Sequence, residues 1–223
     1  MIENSITPAT KIISCPHSQI SSSTTMEEGD LAAVHFSDTL TFVDGVQPPA
    51  SLITQVGVEW NEHSLFVFFR GRFEELRYWA NPPKDSLDRK THALEETADV
   101  YEVFMGPRAS STKIHKKFQI APDGRWFDID INTGLGITNP HWYSGCKCKS
   151  YVDTEMKIWS GVFELPWQCF GASYDSEHIW NVNFCRTVGS QEGEKILTWA
   201  SPGVGESFNP ADCFGKILFV YDP

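Results

Sequence analysis

From Ala33 onward the chain is written in short apolar segments that turn residues interrupt at close intervals. Strict alternation or brief unbroken runs bounded by Gly, Pro, Asn and Asp predict strands. The pattern places them at 34–43, closed by Asp44-Gly45, and at 55–60 and 65–72, which the polar Asn61-Glu62-His63 joins as a hairpin. Further strands are expected at 100–105, and at 117–121 and 126–131 around the turn Pro122-Asp123-Gly124. The rest fall in the later half of 149–159 and at 160–164, 179–186, 195–199 and 213–221. No segment repeats with helical period. The expected fold is all-β, a single antiparallel β-sandwich with long loops.

Residues 1–27 are rich in Ser and Thr and weakly periodic, so they read as an arm or a loosely attached first strand. Residues 28–223 form the domain, with no internal repeat and no second core behind a linker. Stretches 74–98 and 132–149 exceed plain connections. Long loops on a rigid sandwich carry function, and a ligand is expected near one of them.

Composition supports a substantial core: 41% of the 223 residues are hydrophobic, with eight Trp and fifteen Phe. The formal charge of −11 makes nucleic acid and anionic membrane surfaces poor partners. The longest apolar run, Leu65 to Phe69, is far short of the ~20 residues that span a bilayer. No basic start, apolar stretch and cleavage site open the sequence, so the chain as given reads as cytoplasmic, or as extracellular or periplasmic if it is part of a longer exported product. Its oligomeric state is not legible.

Six scattered cysteines are too few for a disulfide scaffold and read as thiols. Cys146 and Cys148 resemble half a zinc site, but no second pair follows at ligand spacing. No disulfide is expected between them, because an extended chain holds Cα atoms two residues apart at ~6.5 Å or more, with the side chains poorly aimed.

Asp128-Ile129-Asp130-Ile131-Asn132 alternates, which predicts isoleucines toward the core and the acids sharing the other face. Paired carboxylates suit a glycosidase only when they flank a bond at ~5 Å or more with unequal pKa values. The stretch also begins like an EF-hand loop, then fails. Gly134 comes one place late and Asn139 stands where a bidentate Glu should close the loop. A calcium ion held by several loops stays open as a reading. Gly-x-Ser-x-Gly, His-Glu-x-x-His and phosphate-loop motifs are absent, and Cys146 near His141 matches no protease signature.

Several stations occur in a telling order: Val58-Glu59-Trp60, Val100-Tyr101-Glu102-Val103-Phe104, Phe118-Gln119-Ile120, Phe163-Glu164-Leu165-Pro166-Trp167, Asn183-Phe184-Cys185-Arg186, Thr198-Trp199 and Cys213-Phe214-Gly215. Over about residues 40–221 the chain thereby resembles the family 9 carbohydrate-binding modules. The resemblance implies a β-sandwich that binds the reducing ends of plant polysaccharides and small sugars without catalysis, often beside xylanases and often with structural calcium. In such a site a pyranose stacks its CH faces on aromatic rings while planar polar side chains bond its hydroxyls.

Carried over by motif, Glu102 matches the hydroxyl-binding Glu, and Cys185 lies in the Asn-Phe-Cys-Arg station. Gln119 falls where the family has an Arg, and Phe208 where it has one of two stacking tryptophans. The other stacking position is occupied by Glu95 or Glu96, a departure expected to weaken sugar binding by ~1 to 3 kcal/mol unless Trp79 or Trp142 substitutes. Trp60, Trp159, Trp167, Trp180 and Trp199 sit in strand patterns and are expected in the core.

Two other classes compete with sugar binding. Relatives of this sandwich hold haem b for electron transfer, for which Met105, Met156, His115 and Lys216 are the available axial ligands. A glycoside hydrolase or lyase would use Glu102, Asp128 or Asp130.

Overall fold

The computed structural model describes residues 10–78, 98–108, 113–171, 178–189, 195–202 and 213–221. Within them the chain forms β1 (Ile12–Pro16), β2 (Asp38–Thr39), β3 (Thr41–Phe42), β4 (Thr54–Trp60), β5 (Ser64–Arg72), β6 (Val100–Pro107) and β7 (Ile114–Ile120). It continues with β8 (Trp126–Asn132), β9 (Ile137–Asn139), β10 (Lys147–Asp153), β11 (Ile158–Pro166), β12 (Ile179–Val188), β13 (Lys195–Thr198) and β14 (Gly215–Val220). Two sheets face each other, as the alternation predicts. The larger runs β1-β14-β12-β6-β7-β8-β9, with β13 and β3 attached beside β12; the smaller runs β10-β11-β5-β4-β2. All pairs of named strands are antiparallel except β1 with β14.

Alternate residues of each strand meet between the sheets. Leu65, Val67 and Phe69 of β5 pack there with Tyr101, Val103, Phe118, Phe163 and Phe184, and all five tryptophans assigned to the core lie in the same cluster. Arg186 is buried among them. Its guanidinium donates to Thr54 Oγ1 at 3.0 Å, to the Arg72 carbonyl at 2.7 Å and to Asp99 Oδ1 at 3.3 Å. It also lies over the rings of Tyr101 and Trp159, which stack at 3.7 Å.

The remaining residues of β5 explain its unbroken apolar run, because a strand buried on both faces needs no polar alternation. Phe66 and Phe68 point away from the main core into a second cluster with Met26, Leu31, Val34 and Val162. The Ser/Thr-rich segment therefore crosses the outer face of the small sheet. Glu164 anchors it: one carboxylate oxygen accepts from Ser22 Oγ (2.7 Å), Ser23 N (2.7 Å) and Ser23 Oγ (2.9 Å), and the other from Lys147 at 2.8 Å. Of residues 1–27, those from Ile12 to Pro16 supply β1 of the large sheet.

Three predicted elements differ. In place of a strand at 34–43 there are only β2 and β3, which pair with different sheets, because the chain crosses the sandwich at the buried Leu40. The stretch from Lys147 is a hairpin, β10 and β11, whose turn is set by Asp153 Oδ1 accepting from the backbone of Glu155 and Met156. The alternation at 128–132 is reversed. Phe127, Ile129 and Ile131 face away from the small sheet, opposite Gln119, Lys117 and His115, while Asp128 and Asp130 lie on the core-side face opposite Phe118 and Lys116.

Candidate functional site

Strand register brings distant residues into one row on the outer face of the large sheet. Thr198 lies opposite Cys185, Cys185 opposite Glu102, Glu102 opposite Gln119, and Gln119 opposite Phe127. A second row, Asn183, Phe104, Lys117 and Ile129, runs beside it. The sheet thus gathers polar side chains from four strands onto one face.

Glu102 is the hub of this face. Its Oε1 accepts from Gln119 Nε2 at 2.8 Å and pairs with Lys117 Nζ at 2.7 Å, and its Oε2 lies 3.5 Å from Thr187 Oγ1. Glu102 is only 7% exposed and Gln119 5%. A carboxylate is an acceptor only, which fixes the Gln119 amide with its nitrogen toward Glu102 and its oxygen away. That oxygen, Gln119 Oε1, is buried without a hydrogen-bond partner. An orphaned acceptor of this kind calls for a donor from outside the protein.

Cys185 lies beside Glu102 with its sulfur 3.6 Å from Thr198 Oγ1. Burial, and then the Glu102 charge, push its thiol well above the usual range. It stays protonated and forms part of the floor. Asn183 braces the same face by accepting from Ala200 N at 2.9 Å and donating to the Ala200 carbonyl at 3.0 Å. Lys117, Thr187 and Asn183 were not singled out by sequence reasoning; within-strand parity with Gln119 for the first and with Cys185 for the other two was the available signal.

Other candidates lie elsewhere. Trp142 packs its ring 6.0 Å from Phe118, under Lys116, on the core-side face of the large sheet and away from the Glu102 row. Glu95, Glu96, Trp79 and Phe208 lie outside the described residues. Asp128 accepts from Ser144 N (2.8 Å) and Ser144 Oγ (2.5 Å), and Asp130 pairs with Lys116 at 2.6 Å. Both are on the opposite face of the sheet from Glu102, so neither flanks a bond with it.

These engagements also leave Asp128-x-Asp130 ill suited to calcium, and among the described residues no three His, Cys, Asp or Glu converge for a metal ion. Of the haem candidates, Met105 is in the core, Met156 is exposed in the β10–β11 turn, His115 packs against Phe104 and Phe214, and Lys216 donates to Asn181. A cavity of about 480 Å3 opens under the N-terminal segment beside Ser18, Ser22 and Glu59, but no aromatic ring lines it. Among the described residues no helix is long and apolar enough to cross a membrane.

Two facing sheets make a β-sandwich whose architecture is that of the family 9 carbohydrate-binding modules. A family 9 module from Caldicellulosiruptor kristjanssonii in complex with cellotriose matches 96% of this chain and 95% of its own, with a TM-score of 0.64 at 9% identity. A module of that family from the same organism in complex with glucose covers 96% of this chain and 97% of its own, with a TM-score of 0.63 at 8% identity. A candidate carbohydrate-binding protein from Bacteroides uniformis covers 95% and 100%, with a TM-score of 0.70 at 15% identity. At these identities the likeness is one of architecture. No protein-family model matches the chain, and no curated protein matches it at a significant level.

Proposed function

We propose that the protein binds a neutral saccharide, without catalysis, on the outer face of its large sheet at Glu102, Gln119 and Cys185, with Glu96 and Phe208 as further contacts. The buried, unpartnered Gln119 Oε1 beside Glu102 carries this reading, since a sugar hydroxyl is the donor that such a pair of acceptors fits. The architecture shared with modules seen in complex with cellotriose and glucose supports it. Non-catalysis is supported by Asp128 and Asp130, which are engaged by Ser144 and Lys116 on the opposite face of the sheet and flank no bond with Glu102. Participation in a glycan-processing system follows as part of the same proposal.

A glycan array followed by calorimetry on each hit tests it. Neutral oligosaccharides should bind, and Gln119→Ala should weaken them by ~1 to 2 kcal/mol, the order of a hydrogen bond to a buried acceptor. Phe208→Ala should weaken them by ~1 to 3 kcal/mol with little change in melting temperature. No binding to any neutral glycan, or binding indifferent to both substitutions, overturns the site.

A further inference from the structure

Cys146 and Cys148 hold their sulfurs 3.3 Å apart. Two residues of extended chain would not allow this, so the local backbone is the reason. Gly145, at a φ of 75°, turns the chain immediately before Cys146, and the β10 ladder begins only at Lys147. Cys146 is thus outside the ladder, its N–H held by Ser144 Oγ at 2.9 Å. Cys148, opposite Phe163, points to the same side. The expectation of poorly aimed side chains is corrected here, although no disulfide joins the two residues.

The pair differs in access. Cys146 is buried and Cys148 is half-buried, so a reagent from solution meets Cys148 first. Three of the competing thiols are suppressed. Burial pushes up the thiols of Cys15, Cys169 and Cys185, aided by Glu59, Cys146 and Glu102 respectively, and protonated sulfur is a poor nucleophile.

We propose that Cys146 and Cys148 are a redox-active dithiol, closed to an intramolecular disulfide by low-molecular-weight disulfides and reopened by thiols. The Cys148 thiolate attacks one sulfur of the small disulfide, forming a mixed disulfide and releasing one small thiolate. Cys146, deprotonated, then attacks the Cys148 sulfur, forming the internal bond and releasing the second small thiolate. Two protein thiols are oxidised, one external disulfide is reduced to two thiols, and two protons leave with them. The sulfurs need approach by only roughly 1.3 Å to reach bonding distance.

The test equilibrates the full chain in a series of oxidised and reduced glutathione mixtures, followed by acid quenching, alkylation in denaturant, intact mass and peptide mapping. The wild type should lose two of its six alkylatable cysteines, at Cys146 and Cys148, retain no glutathione and regain both thiols with excess dithiothreitol. Cys146→Ala removes the resolving thiol and should trap glutathione on Cys148, while Cys148→Ser should form no bridge at Cys146. Six alkylatable cysteines across the whole series, a bridge between other residues, or a stable glutathione adduct on the wild type overturns the proposal. The wild-type result decides even where a variant fails to fold, and it does not depend on whether a saccharide binds.

Discussion

Arg186 shows how one side chain can be central to the core without serving the ligand face. Its charge is matched by Asp99, one terminal nitrogen by Thr54 and the Arg72 carbonyl, and its planar faces by Tyr101 and Trp159, while its Nε is buried without a partner. Removing one partner of a buried pair leaves the other charge uncompensated, at a cost of about 3–5 kcal/mol. Arg186→Met should lower stability in urea unfolding by that order, and adding Asp99→Leu should restore a large part of it. A single-variant loss below about 1 kcal/mol would show that the pair is not desolvated as described. At this scale Glu102 and Gln119 were legible through their motifs and their parity opposite core residues. Lys117 and Thr187 were not, because which residue lies across from Glu102 depends on register between strands distant in the chain.

At the scale of elements, the unbroken apolar run of β5 reflects burial on both faces, and the cover for the outer one lies in a segment that reads as polar. Ile20, Met26, Leu31 and Val34 are spaced irregularly there, and hydrogen bonds to Glu164 do the positioning. Burial raises the Glu164 carboxyl, but the bonds from Lys147, Ser22 and Ser23 together hold it below its ordinary value. A depressed carboxyl stabilises the fold fully above its unfolded value and loses that contribution as pH falls through the folded one. Below the ordinary glutamate range of about 4.3 the segment should therefore loosen. Limited proteolysis within 17–34 should accelerate on acidification, and Glu164→Gln should produce similar cutting at neutral pH. Equal cutting rates for both proteins at every pH would remove Glu164 as the anchor.

Across the whole molecule the first and last described strands are neighbours. β1 runs parallel to β14, from Ile12 opposite Lys216 to Pro16 opposite Val220. The sequence announced the last strand, but not that the weakly periodic opening segment would pair with it, since the contact joins segments about 200 residues apart. Parallel pairing has a mechanical consequence. Tension applied ahead of β1 and behind β14 slides the two strands along each other, so their ladder hydrogen bonds resist together. Tension that peels β9 from β8 instead opens the bonds of that antiparallel edge one after another. In single-molecule pulling, the chain held at Thr10 and Tyr221 should rupture at a higher force than the same chain held at Leu135 and Tyr221. The sandwich would then be stiffest along the line joining its own outermost strands, and a domain gripping a surface through its sheet face would resist drag best when pulled in that direction.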